Sequence, residues 1–402
     1  MDFTSSFHGI DSELKGAYIT LPAKYMLYGQ GNRSSLRKVV SELGGSKAFI
    51  ITGRSLNEKT PVIKELEGLL ADSHAGTYAG VRQHAPVADI ESAIEHIKQS
   101  AANVLVAVGG GSPIDAAKAV AYHIHQHTEQ WIPIVALPTT LSVAENTFGA
   151  GYTSREGLKV GIFHPELAPK AIIYDAEITL HTPARLWLSS AVSNLKIGQQ
   201  LPSLQSAKAC IQVRAIDHAV ELQYHPQAAE VPTKRLCRTA IREIFRLLLL
   251  CKKDPEDPKI RQELQIAAYS AFPPFYFTAP IGLSHAIGHV IGATYAIPHG
   301  ITSCISLAKT IHFKATRNPE EAHQIAKILP YIGQACSGDD AKDANAVGDA
   351  IAKLVESLEL KSTLTEFSVK PSEADTIALR ALKGDKKDPN LPALFELIRS
   401  LY

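Results

Sequence analysis

The hydrophobic positions between residues 23 and 180 form short, uninterrupted runs that alternate with longer helical patterns. The runs predict strands at Lys47–Thr52, Asn103–Val108, Ile132–Leu137 and Ala171–Tyr174. Helical patterns lie between them at Pro61–Ala71, Ile90–Ala101 and Pro113–His125. Wholly apolar strands separated by helices are typical of a parallel sheet covered on both faces. Residues 1–182 are therefore predicted to form a doubly wound α/β domain, an architecture that commonly binds nucleotides.

Helical patterns dominate after residue 183, and no convincing alternating strand is visible. Helices are predicted at Thr233–Cys251, Lys259–Phe272, Leu283–Ile297, Val347–Leu358 and Ala374–Leu382. A chain of 402 residues is also too long for one hydrophobic core. The pattern indicates an all-α second domain over residues 183–402.

Composition and charge narrow the class of protein. The formal net charge is +1, which argues against nucleic acid or a membrane surface as a partner. No apolar run is long enough to span a bilayer, and neither terminus resembles a signal peptide or a peroxisomal signal. The five cysteines are scattered, as reduced thiols are in cytoplasmic proteins. We expect a cytoplasmic protein that acts on a small molecule.

A glycine-rich turn follows the second of these strands. The segment Val104–Ala119 runs from apolar residues into Gly109, Gly110 and Gly111, and then into Ser112 and a helix. Glycines allow close approach of a ligand to the backbone, and the helix start offers free amides and a favourable dipole to an anion. A plain strand–helix turn is the alternative. The loop Leu137–Thr140 follows the next strand, so it should lie beside the glycines at the ligand-binding edge of the sheet.

Histidines cluster in the second half of the chain. His285 and His289 are four residues apart on one helical face, and His299 follows Pro298 at the start of the next element. A lone histidine is usually a core residue with a satisfied hydrogen bond. Three histidines within fifteen residues, separated by glycines and followed by a glycine, indicate a catalytic or metal-binding site.

In this order and spacing, the glycine turn (GGGSPID), the PTT loop and the histidine block resemble the iron-type alcohol dehydrogenase superfamily. Tyr78–Val87 (YAGVRQHAPV) is similar to the maleylacetate reductase branch. The resemblance implies a dehydroquinate synthase-like fold and NAD(P)H as cofactor. It also implies that the glycine turn holds the pyrophosphate and that the two threonines contact the nucleotide. The implied cofactor-binding residues are Gly109, Gly110, Gly111, Ser112, Asp115, Thr139, Thr140 and, more loosely, Lys159.

The end of the strand at Thr52 bears on the choice of coenzyme. Many NAD-preferring relatives carry an acidic residue there for the ribose hydroxyl, whereas this chain has Gly53 and Arg54. An arginine can receive a 2′-phosphate instead. We therefore expect NADPH to be accepted; the alternative is a solvated loop arginine.

The resemblance also implies a metal site, from which this chain departs. The family's metal histidines match His218, His285 and His299, and the residue matching His289 lies near the nicotinamide. The position of the ligating aspartate, however, holds Arg214. A guanidinium cannot ligate a cation and repels one. We expect a site without tightly bound metal, and iron or zinc held by the three histidines is the alternative.

These features predict NAD(P)H-dependent reduction of an unsaturated or oxo carboxylic acid. Arg214, with His218, His285 or His299, would bind the carboxylate or carbonyl oxygen, and His289 or His218 would supply the proton. Two other hypotheses remain: a metal-dependent alcohol dehydrogenase acting on a small alcohol or aldehyde, and a cofactor-binding pseudoenzyme. Members of the superfamily are often dimers or larger, so the resemblance allows a homodimer.

An additional segment, Val192–Gln212, interrupts the resemblance. Its removal would join the flanking residues into the continuous helix WLSSAVRAIDHAVE. It is either a lid loop or a translated intron. Val-Ser-Asn at its start can encode a splice donor and Gln212 at its end can encode CAG, which favours the intron. An intron would indicate a eukaryote such as a fungus, in which relatives often serve secondary metabolism.

Overall fold

The computed structural model describes residues 18–157, 159–182, 187, 210–295 and 297–402, with the backbone alone at 159, 210–212 and 299. The predicted boundary at 182/183 adjoins residues 183–186, which lie outside the described residues. The same holds for 192–209 of the additional segment. Residues 210–212, at its end, are the first residues of a helix. The structure therefore does not test the proposed domain boundary.

The N-terminal half is built on a parallel sheet of six strands in the order β1-β8-β5-β4-β2-β3. These strands are β1 (Tyr25–Tyr28), β2 (Ala48–Thr52), β3 (His74–Tyr78), β4 (Val104–Gly109), β5 (Ile134–Pro138) and β8 (Ala171–Tyr174). The helices of this half are α1 (Leu36–Glu42), α2 (Arg54–Lys59), α3 (Val62–Leu70), α4 (Val87–Ser100), α5 (Gly111–Thr128) and α6 (Ala176–Leu180). The doubly wound α/β fold is confirmed, with all four predicted strands inside the sheet.

Alternate residues of the central strands pack on opposite faces of the sheet. Phe49 and Leu105 belong to the cluster that includes α4 and α5. Ile50 and Val106 belong to the cluster that includes α1 and α3. Because both faces are covered, every residue of β2, β4, β5 and β8 is buried, which explains their uniformly apolar pattern.

Two edge strands and a hairpin were not predicted from the sequence pattern. β1 and β3 close the two ends of the sheet and are only partly buried. The antiparallel hairpin of β6 (Gly149–Thr153) and β7 (Lys159–Phe163) lies outside the main sheet. Partly exposed strands bury few side chains, so their apolar signal is weak.

The described part of the C-terminal half is helical around one large core. Its helices are α7 (Cys210–Tyr224), α8 (Arg235–Lys253), α9 (Pro258–Ala271), α10 (Leu283–Tyr295), α11 (His299–Arg317), α12 (Pro319–Ala326), α13 (Asp340–Ser357), α14 (Ala374–Ala381) and α15 (Leu391–Arg399). The prediction of an all-α second half is confirmed. No described helix is long and apolar enough to cross a membrane.

Helix α9 joins the two halves at the carboxyl edge of the sheet. Gln265 Nε2 donates to the carbonyl of Pro138 at 3.2 Å, at the end of β5. Gln262 Nε2 donates to the carbonyl of Tyr174 at 3.3 Å, at the end of β8. From the other side, Asn146 Nδ2 donates to the carbonyl of Phe272 at 2.8 Å. The edge at which parallel sheets bind ligands therefore faces the helical half.

Candidate active site

Side chains on the first two glycines of the turn would crowd neighbouring residues. Gly109, the last residue of β4, has φ +141°, and a Cβ there would lie 2.8 Å from Pro113 Cγ. A Cβ at Gly110 would lie 3.1 Å from the Thr140 side chain. Gly111 begins α5, so the amides at this helix start are available to an anion. The turn and the PTT loop are in contact, as the sequence predicts.

Buried hydroxyls beside this turn have no hydrogen-bond partner among the described residues. They are Oγ1 of Thr140 and Oγ of Ser142, and Ser142 Oγ lies 3.5 Å from a Cβ built on Gly111. Thr139 is buried, and its amide donates to the carbonyl of Gly109 at 2.9 Å. Buried hydroxyls without partners are unfavourable unless a ligand completes them. Phosphate and ribose oxygens would do so, and these residues therefore fit an NAD(P)H molecule. Ser142 was not predicted from the sequence, although it directly follows the PTT loop.

The other predicted cofactor residues lie on elements around the turn. Ser112 Oγ accepts a hydrogen bond from the amide of His84 at 3.0 Å, which ties the 82–85 loop to α5. Asp115 is half-buried in the second turn of α5. Gly53 precedes α2, and the Arg54 side chain is 78% exposed, with its Nε 3.8 Å from Glu58 Oε1. Lys159 begins β7, and its side chain lies outside the described part.

Lys118 is a buried residue of this region that sequence reasoning did not assign to the site. Its Nζ donates to the carbonyls of Ala144 and Thr147, both at 2.6 Å, and of Gly149 at 3.0 Å. Burial lowers the pKa of Lys118 to about 8. Lys118 thereby fixes the segment that follows the PTT loop against α5. Its position among the apolar residues of α5 gave no signal of this contact.

The second cluster lies in the helical half, where α7 and α10 meet. Arg214, Asp217 and His218 on α7 are buried, His285 on α10 is half-buried, and His289 is exposed. The ring centroids of His218 and His285 are 5.1 Å apart, and those of His285 and His289 are 4.7 Å apart. His299 begins α11, as the sequence predicts, but the description does not extend to its side chain. The structure thus brings together four of the five predicted catalytic residues.

Arg214 lies against the histidine that would ligate a metal. Its Nη2 is 2.6 Å from Nε2 of His285. Since a guanidinium only donates, His285 Nε2 accepts this hydrogen bond with the lone pair that a metal ion would need. Among the described side chains, no group of three or more His, Cys, Asp or Glu residues is arranged to hold a metal ion. The described residues therefore do not fit a metal at the family's position.

Asp217 and Ser303 hold the other end of the guanidinium. Arg214 Nη1 lies 3.4 Å from Asp217 Oδ2 and 3.3 Å from Ser303 Oγ, and Ser303 Oγ donates to Asp217 Oδ2 at 2.5 Å. No role was assigned to Asp217 from the sequence. Its spacing of three residues from Arg214 is the signal that could have identified an ion pair on one helix.

Nε of Arg214 is also buried, and no described residue accepts a hydrogen bond from it. Nε and Nη2 form the side-on edge of the guanidinium. Such an edge matches the two oxygens of a carboxylate.

The electrostatics of the cluster keep His218 neutral. Burial, and then the neighbouring Arg214 charge, hold the pKa of His218 well below its usual range. Burial raises the pKa of Asp217, while Arg214 opposes that shift. Arg214 retains its proton in a protein interior. The cluster thus holds the Arg214 guanidinium, which is paired with Asp217, beside the neutral imidazole of His218. The buried Nε of Arg214 remains available to an electron-rich ligand.

Comparisons with known proteins identify the family of the chain. The family model for iron-containing alcohol dehydrogenase matches residues 22–176, and the model for the C-terminal part of the same family matches residues 208–397. Maleylacetate reductase of Sphingobium indicum is 28% identical over 314 residues, covering 78% of this chain and 79% of that protein. Dehydrogenase ALT3 of Alternaria alternata is 25% identical over 386 residues, covering 85% and 93%.

Solved structures support the same fold. The crystal structure of maleylacetate reductase from Agrobacterium tumefaciens superposes with a TM-score of 0.77 at 21% identity, covering 96% of this chain and 97% of that one. The two family models together span most of the chain. The chain therefore belongs to the iron-containing alcohol dehydrogenase family, as an NAD(P)-dependent oxidoreductase near the maleylacetate reductases.

Proposed function

We propose that this enzyme reduces an unsaturated or oxo carboxylic acid, of the maleylacetate type, without a tightly bound metal. The observation that carries this proposal is the 2.6 Å contact between Arg214 Nη2 and His285 Nε2. On this proposal, a permanent cation occupies the position at which relatives with an aspartate would hold a metal ion. Similarity to the maleylacetate reductase of Sphingobium indicum supports an acid as the substrate.

NAD(P)H would be held by the glycine turn, Thr139, Thr140 and the segment fixed by Lys118, and when bound it supplies the hydride. Arg214 would bind a carboxylate or the reacting oxygen through its side-on edge. The reduction adds hydride to one carbon and a proton to the neighbouring carbon or oxygen. Because His218 is neutral and buried, the exposed His289 is the proposed proton donor.

Arg54 is the proposed determinant of coenzyme choice. Its side chain is 78% exposed and follows the strand end at which an acidic residue would select the ribose hydroxyl. A guanidinium there would bind a 2′-phosphate, so NADPH is the proposed coenzyme. We also retain residues 1–182 and 183–402 as the two proposed domains.

The proposal is tested by metal content and NADPH oxidation with maleylacetate, on the full chain and on a variant lacking Val192–Gln212. We expect activity that survives dialysis against a chelator. Arg214→Asp, which restores the family's acidic residue, should lose this activity and gain affinity for zinc. The deletion variant separates a lid, whose loss lowers activity, from a translated intron, whose loss preserves or raises it.

Two outcomes would replace the proposal. Stoichiometric iron or zinc, with activity only on alcohols or aldehydes, would establish the metal-dependent alcohol dehydrogenase. Cofactor binding without turnover of any carboxylate or carbonyl substrate, in both the full chain and the deletion variant, would establish the pseudoenzyme.

A further inference from the structure

Glu221 joins the two helices that carry the candidate active site. It lies on α7, one turn after His218, and its carboxyl group is fully buried. Its Oε1 accepts a hydrogen bond from the backbone amide of Ser284 at 2.7 Å. Ser284 is the second residue of α10 and directly precedes His285. Glu221 therefore caps the helix of the histidines from a neighbouring helix.

Gly282, the residue before α10, leaves the space that the Glu221 carboxyl group occupies. A Cβ built on Gly282 would lie 2.4 Å from both Cδ and Oε1 of Glu221, far inside van der Waals contact. The carbonyl of Gly282 also accepts the first hydrogen bond of the helix, from Ala286 at 3.0 Å. The carboxyl group thus occupies the space of the missing side chain, at the point where α10 begins.

A cap at this point stabilises α10 and also fixes the position of its first turn relative to α7. The first amides of a helix have no partner within it, and a buried amide without an acceptor is unfavourable. Asp217 and His218 follow Arg214 by three and four residues, and Glu221 follows them by four and three, so all four share one face of α7. A bond from this face to the first turn of α10 sets the distance between Arg214 and His285.

The contact does not require a negative charge. Burial, and then the nearby Asp217 carboxylate, raise the pKa of Glu221 to about 8. A carbonyl oxygen accepts from the Ser284 amide whether or not the group is ionised. A glutamine of the same shape can therefore replace the glutamate.

We propose that Glu221 is a positioning residue: through the Ser284 amide it holds His285 and His289 in register with Arg214 and His218. This inference rests on the proposed function for its catalytic readout, but its structural readout is independent of activity.

Four variants test it: Glu221→Gln, Glu221→Ala, Gly282→Ala and the double variant Glu221→Ala/Gly282→Ala. We expect Glu221→Gln to keep kcat within about threefold of the original, and Glu221→Ala to lower kcat about 10- to 100-fold, because small displacements of reacting groups have effects of this size. The KM for NADPH should change less than about twofold, since the glycine turn lies in the other half. Gly282→Ala should lower kcat similarly, yet add nothing to Glu221→Ala, because the three atoms nearest to its Cβ all belong to Glu221.

Asn318→Ala is the matched control. Asn318 Oδ1 caps α12 by accepting from the amides of Glu320 and Glu321, both at 3.1 Å. This variant also loses a cap, but no candidate catalytic residue lies on that helix. It should shift the urea midpoint of unfolding and leave kcat unchanged.

The structural readouts are urea unfolding of all variants and the imidazole NMR signals of His285 and His289. The signals should move in Glu221→Ala and stay in place in Glu221→Gln and Asn318→Ala. The positioning role would be overturned if the changes in unfolding free energy of Glu221→Ala and Gly282→Ala add up in the double variant. It would also be overturned if the histidine signals do not move in Glu221→Ala. If the original chain reduces no acid, the proposed function fails, whereas unfolding and NMR still decide the role of Glu221.

Discussion

Replacement of Arg214 by methionine separates its two contributions, to substrate binding and to the buried ion pair. The methionine keeps an unbranched chain in the cavity but removes every donor. Arg214 is 5% exposed and Asp217 is fully buried. The variant therefore leaves a buried carboxylate without its cation, in addition to removing the proposed substrate contact.

The effect on substrate binding follows from a lost charge-assisted hydrogen bond. Such a bond contributes about 1.5–3 kcal/mol, which corresponds to roughly a 10- to 150-fold increase in KM for an acid substrate. An aldehyde without a carboxylate should be affected much less. Arg214→Lys keeps the charge but not the side-on edge, so its KM should lie between those of the original and Arg214→Met.

The effect on stability depends on pH through Asp217. Its pKa in the folded protein is already raised by burial, and removal of Arg214 raises it further. A carboxyl group with a raised folded pKa stabilises the fold at low pH, and this contribution is lost as pH rises through the folded pKa. Breaking a buried pair costs about 3–5 kcal/mol when the remaining group stays charged. Arg214→Met should therefore be close to the original in mild acid and less stable at mildly alkaline pH.

The assays are steady-state NADPH oxidation with maleylacetate and with an aldehyde, and urea unfolding at the two pH values. Arg214→Met/Asp217→Asn supplies the control, because it removes the buried charge while still lacking the guanidinium. This double variant should regain stability without regaining KM. An unchanged KM for the acid in Arg214→Met, or an equal rise for acid and aldehyde, would refute the assignment of Arg214 to the carboxylate.

Three further predictions concern the cofactor. Arg54→Ala should raise the KM for NADPH about tenfold by removing a phosphate contact and leave that for NADH unchanged; equal effects on both coenzymes would contradict the 2′-phosphate assignment. Gly109→Ala forces a side chain into φ +141°, 2.8 Å from Pro113 Cγ, and should destabilise the fold by about 1–3 kcal/mol and weaken NADPH binding in a fluorescence titration. Gly157→Ala, at φ +80° with no atom within 4 Å, is its control and should leave binding unchanged. Thr140→Val removes a buried hydroxyl that has no described partner, so NADPH affinity should fall about 5- to 10-fold while the melting temperature stays the same or rises; a fall in melting temperature would show that the hydroxyl already has a structural partner.

Local chemistry made the central strands and the glycine turn predictable. β2, β4, β5 and β8 are buried on both faces, so their apolar runs are uninterrupted. The glycines at the end of β4 are required by backbone geometry and close packing, which are local properties of a turn. The resemblance to the family also located Arg214 at the position of the ligating aspartate, one helical turn before His218.

Most helix ends were predicted within a few residues. However, α13 begins at Asp340, seven residues before the predicted Val347, and one predicted helix was too long. Leu283–Ile297 was expected as a continuous helix, whereas α10 ends at Tyr295 and α11 begins at His299. Pro298 separates them, since the residue before a proline is disfavoured in the helical conformation.

The partners of each active-site residue could be decided only by the tertiary structure. Arg214 meets His285 across 71 residues of sequence and Ser303 across 89, and Glu221 meets Ser284 across 63. No local pattern encodes such contacts, because they arise from how α7, α10 and α11 pack in one core. The sequence by itself determined which side chains the active site can use and where the glycine turn lies. The packing of helices decided that Arg214 meets the nitrogen a metal ion would need, and that a buried carboxyl group fixes the histidines beside it.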